Sequence, residues 1–185
     1  MEDRNEVNSI ASTKKWLEDV VVKLNFCPFA GREVARGSIR FVENHQQHPE
    51  IESTLSQEFL FLDQNPSTET TLVVFKVALS NFIEYLNYVE LAEAFLVDEG
   101  YEGIYQVASF HPDYQFAGTD VDDPGNYTNR SPFPTIHILR EESLDKAIDA
   151  HGSTEEIPEA NIGLTHKLGA KHMLELLTQC YVQRT

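Results

Sequence analysis

The stretch T-T-L-V-V-F-K-V-A-L-S-N-F-I-E-Y-L-N-Y-V-E-L-A-E-A-F-L-V-D-E, Thr70 to Glu99, decides the fold. Its opening, Thr70 to Ala78, is rich in β-branched residues and nearly continuously apolar at Leu72-Val73-Val74-Phe75, as in a central strand. Then the period changes. From Ser80 to Glu99, a helical spacing is traced by Phe82, Tyr85 or Leu86, Val89, Ala92 or Glu93, and Leu96. Ser80 or Asn81 can cap this helix and Gly100 ends it. A central strand feeding a long helix belongs to an α/β or α+β domain.

Moving outward toward the N-terminus, Asn65-Pro66-Ser67 reads as a turn and Pro49 to Leu62 as a helix with Ile51, Leu55, Phe59 and Leu62 on one face. Ile39 to Val42 predicts a short strand. Ser12 to Phe26 predicts an amphipathic helix, broken at Cys27-Pro28. Pro28 to Arg36 predicts a short second helix, with Pro28 at its first position and Gly37 closing it. Toward the C-terminus, Ile104 to Phe110 and Thr135 to Leu139 predict two further strands, an antiparallel pair around a long connection. Glu141 to Ala150 predicts a helix. A last helical region runs from about Pro158 to Tyr181, with a break at Gly169. The expectation is one two-layer domain over residues 1–185, with residues 1–11 flexible. It has a mixed sheet of about four strands, helices packed on it and one long functional loop.

Composition narrows the function classes. The chain has 185 residues, 41% of them hydrophobic, and a net charge of −16. That charge argues against nucleic acid and against anionic membranes as partners. No apolar run approaches the ~20 residues that span a bilayer, and Met-Glu-Asp-Arg-Asn-Glu is not a secretory signal, so a cytoplasmic location is expected. In that reducing compartment, Cys27 and Cys180 are not expected to form a disulfide. Walker A, G-x-G-x-x-G and G-x-S-x-G motifs are absent from the sequence, so nucleotide-binding and hydrolase readings have no direct support.

The connection from Ser109 to Pro134, S-F-H-P-D-Y-Q-F-A-G-T-D-V-D-D-P-G-N-Y-T-N-R-S-P-F-P, shows neither helical nor strand periodicity. Loops of that length inside a domain are usually functional or disordered. Phe110, Tyr114, Phe116, Tyr127 and Phe133 favour burial, and hence order. His111, at a strand end, fits a general acid or base with Asp113 as its orienter; it also fits a structural histidine bonded to loop backbone. Arg130, with Asn126, Asn129 and Ser131, fits an anion anchor; these residue types also make turns and surface ion pairs. Tyr127 is counted with them as a ligand contact.

Other residues carry weaker patterns. Cys27, if it caps the helix opened by Pro28, becomes a nucleophile with a lowered pKa; otherwise it is a small buried hydrophobe. Asp120, Asp122 and Asp123 offer oxygen ligands or a solvated acidic turn, without EF-hand spacing. His45 and His48 lack further ligands, and His166 and His172 have no persuasive spacing, so no metal site is assigned. His137, flanked by Ile136 and Ile138, points to the opposite face of its strand from them, toward the site of His111 or toward solvent.

N-F-C-P-F-A (Asn25 to Ala30), S-F-H-P-D-Y-Q-F (Ser109 to Phe116), N-Y-T-N-R-S-P-F-P (Asn126 to Pro134) and H-I-L-R (His137 to Arg140) stand in this order in the chain. On these motifs it resembles an uncharacterised bacterial family of small soluble proteins, a domain of unknown function, from about Ser12 to the last helices. The resemblance implies no activity and no cofactor. Two function classes are therefore expected: an enzyme acting on a small anionic metabolite at the 109–134 loop, or a non-catalytic module presenting the loop's aromatics to a protein partner. A purely structural loop is a third reading.

Overall fold

A computed structural model describes residues 6–151 and 156–184. Among these described residues, four strands form one mixed sheet: β1 (Ile39–Asn44), β2 (Thr70–Phe75), β3 (Tyr105–Phe110) and β4 (Thr135–Arg140), in the order β1-β2-β4-β3. β1 and β2 are parallel; β4 runs antiparallel to both β2 and β3. The nearly continuously apolar run expected to be central is central, and all six residues of its strand, Thr70–Phe75, are buried. The pair flanking the long connection is antiparallel, as anticipated.

Among the described residues, seven α-helices surround the sheet: α1 (Ser9–Trp16), α2 (Ala30–Arg36), α3 (Ile51–Gln64), α4 (Phe82–Asp98), α5 (Glu141–His151), α6 (Ile157–Leu168) and α7 (Ala170–Gln179). The class is α/β, but the expected two layers become three. Val73 and Phe75 of β2, with Ile136 and Ile138 of β4, face α3 and α4 through Leu55, Phe59, Tyr85 and Ala92. Leu72 points the other way, into a second core with Trp16, Val20, Tyr127, Met173 and Leu177. Strand alternation sends successive residues to opposite faces, so a strand apolar on both parities requires cover on both. Among the described residues, no helix is long and apolar enough to cross a membrane.

Several boundaries differ from expectation. Residues 1–5, part of the stretch expected to be flexible, lie outside the described residues. Val7 is buried and bridges to Gln183, and the Asn8 side chain caps α1 by accepting from Ala11 N–H. The single helix expected over Ser12 to Phe26 begins at Ser9 and changes at Leu17–Val22 into a π-helical turn. The chain then turns through Asn25, at φ 56°, and α2 starts only at Ala30, capped by Phe29. Gly37, at φ 66°, closes α2 in the left-handed conformation that glycine adopts without strain.

Candidate functional site

The residues picked out in the 109–134 connection come together, but they bond mainly to one another and to backbone. His111 is fully buried. Its Nδ1 accepts from the Asp113 N–H at 3.0 Å, so its Nε2–H donates to the Leu79 carbonyl at 3.0 Å. Its ring packs 5.0 Å from that of Tyr85 and 5.2 Å from that of Phe82. Asp113 therefore orients His111 through its backbone, and its carboxylate lies on an exposed residue.

Asn126 is likewise fully buried. Its Oδ1 accepts from Phe116 N–H and Thr119 Oγ1–H, and its Nδ2 donates to the carbonyls of Asp120 and Val121. Asn129 ties β3 to the loop by donating from Nδ2 to the Ser109 carbonyl, and Ser131 donates to the Phe133 carbonyl. Arg130 donates to the carbonyls of Tyr114 and Val121 while its guanidinium lies 4.6 Å from the centre of the Tyr127 ring. Tyr127 is buried in the second core, within a short 3-10 helix, Pro124–Thr128.

The acidic turn also has structural work. Asp123 accepts from Gly125 N–H and sits 2.9 Å from His166 of α6. Among the described residues, no group of three or more His, Cys, Asp or Glu is placed to hold a metal ion.

Cys27 lies elsewhere. It does not cap α2, because the helix starts three residues later; it is half-buried and unpaired, as is the buried Cys180. It lines a hollow between the N-F-C-P-F-A segment and the face of β2 and β4, with Leu17, Phe29, Ala30, Leu72 and Leu139. His111, packed on the α4 side, does not meet it.

His137 is half-buried and opens onto that hollow rather than toward the His111 site. Thr70 Oγ1 is 2.5 Å from His137 Nε2 and 2.5 Å from the Ile138 carbonyl. A carbonyl only accepts, so the single hydroxyl hydrogen goes to Ile138 and His137 Nε2–H donates to Thr70. Nδ1 is then an unprotonated acceptor, and no described residue bonds to it. Burial pushes the imidazole pKa down to about 4, so the ring is neutral at physiological pH. Cys27 makes no hydrogen bond to His137 among the described residues, so no thiol–imidazole pair is preformed. Trp16 also lines the hollow; it is 2% exposed, and its indole Nε1–H is buried without a partner among the described residues.

Two of the quoted motifs, N-F-C-P-F-A and H-I-L-R, thus wall one hollow, while the other two build the loop beyond β3. A family model described as protein of unknown function (DUF1415) matches residues 8–175. The chain belongs to the DUF1415 family. The resemblance to a family of unknown function is therefore borne out. No curated protein and no solved structure matches this DUF1415 chain. The hollow was the part that sequence reasoning missed in DUF1415. The available signal was small: a histidine at an inward parity of a strand, with a threonine near it on the neighbouring strand.

Proposed function

We propose that this protein binds a small molecule in the hollow walled by Cys27, Phe29, Ala30, Leu72, His137 and Leu139. The observation that carries the reading is two polar atoms without a protein partner among the described residues, on residues that line one apolar hollow: the acceptor Nδ1 of the half-buried His137 and the buried donor Trp16 Nε1. A buried donor such as Trp16 Nε1 is nearly always paired, and a pocket of apolar walls with a few polar groups is the ordinary form of a ligand site. The π-helical turn that supplies Leu17 and Val21 to the wall adds support, since such turns recur at functional sites. A cytoplasmic setting is part of the proposal, supported by the two unpaired thiols.

The test uses the neutral fluorophore N-phenyl-1-naphthylamine. Its emission should rise on mixing with the native protein and not with Ala30→Trp, which fills the hollow. Equal emission with both proteins, or none with either, counts against the reading.

A second reading keeps an enzyme or binder of small anions on the loop. It is favoured by Arg130, whose Nη1 is the guanidinium nitrogen not spent on a loop carbonyl among the described residues. Inorganic phosphate should then raise the melting temperature of the wild type and not of Arg130→Ala; equal shifts in both would end it.

A further inference from the structure

The hollow's chemistry also selects its occupant. We infer that it takes an uncharged molecule with an apolar body and a hydroxyl group, which donates to His137 Nδ1 and accepts from Trp16 Nε1–H. This rests on the reading of the hollow as a binding place and names the ligand class.

The argument runs through each polar neighbour. Thr70 fixes which imidazole nitrogen is free, because its one hydrogen is committed to the Ile138 carbonyl. The free nitrogen is a lone pair, and it attracts an O–H while repelling a carboxylate or phosphate oxygen. The two arginines at the rim do not offset that repulsion. Arg140 donates to the carbonyls of Leu62 and Thr68 and to the Tyr105 hydroxyl. Arg32 pairs with Glu33, which also accepts from Ser38. An ammonium could reach Nδ1, but it would bring an unpaired charge among Leu17, Phe29, Leu72 and Leu139, and would face a second donor in Trp16. A hydrocarbon would fit the walls and leave both polar atoms unmatched. Of these four classes, only the hydroxyl supplies a donor and an acceptor without charge.

The experiment displaces N-phenyl-1-naphthylamine from the wild-type protein with four compounds of similar size: benzyl alcohol, toluene, benzoate and benzylamine. Benzyl alcohol should compete about fivefold to tenfold better than toluene, the value of one net hydrogen bond, and better than either ion. In His137→Phe the alcohol and toluene should compete equally. Should that variant not fold, long-range ¹⁵N–¹H correlation on the wild type reads the same point: His137 Nδ1 should resonate as unprotonated and shift upfield on adding benzyl alcohol.

Benzoate or benzylamine competing as well as the alcohol, or no preference for the alcohol over toluene, overturns the inference and leaves the binding reading standing. No binding of the fluorophore overturns both.

Discussion

His111 shows how a residue can be placed by sequence while its work stays divided between two readings. Its position at the end of β3 was legible. Its partners were not, because they are a carbonyl and an N–H, which every residue carries. Leu79, whose carbonyl accepts from His111, sits at φ 58°, a conformation that a non-glycine residue adopts only when held there. His111 thus joins the turn before α4 to the start of the loop. Replacing it with alanine leaves the Leu79 carbonyl and the Asp113 N–H unmatched and opens space beside Tyr85. His111→Ala should lose about 3 kcal/mol in urea unfolding. A loss below about 0.5 kcal/mol would remove the structural role and return weight to catalysis. Asn126 follows the same logic: an amide with four hydrogen-bonding sites can serve a ligand or a loop, and only the fold decides which.

At the scale of elements, legibility followed the strength of local signals. α4 was expected over Ser80 to Glu99 and runs Phe82–Asp98, because its cap and stop are both written in the chain. Asn81 Oδ1 accepts from the N–H groups of Ile83 and Glu84. Asn81→Ala should therefore cost about 1 kcal/mol, or about 2–4 °C in melting temperature for a chain this long. No change would mean that packing on β3 alone holds the first turn. The helix before Cys27 was harder. Trp16, Leu17, Val20 and Val21 fit an α-helix and a π-helical turn alike, so their spacing does not reveal the inserted residue. That turn, followed by Asn25 in the left-handed region, delays α2 to Ala30 and takes Cys27 off its cap. The same displacement brings Phe29 and Ala30 to the wall of the hollow that His137 and Leu139 of β4 also line.

At the scale of the whole molecule, the order of the sheet and its second layer depend on contacts between distant segments. β2 is apolar at successive positions and is covered on both faces, where a two-layer domain was expected. What the sequence did not state is that the N-terminal helices supply one cover together with α6 and α7, placing His137 under the N-F-C-P-F-A segment. That placement has a consequence for acid stability. Burial holds the folded-state pKa of His137 at about 4, below the ordinary value near 6.5. A histidine with a lowered pKa binds its proton more readily when unfolded. Its contribution is present above pH 6.5 and is lost as pH falls from there toward 4.

The chain's other histidines and its many carboxylates titrate too, and the relief of a −16 charge works in the opposite sense. These effects are common to wild type and His137→Gln, which keeps a donor for Thr70 and does not titrate. Between pH 7 and pH 5 the wild type should lose about 1–2 kcal/mol more than the variant in urea unfolding. Parallel curves would mean that His137 is hydrated in the folded protein. In that case the acceptor in the hollow would already be matched by water, and the preference for a hydroxyl would weaken with it.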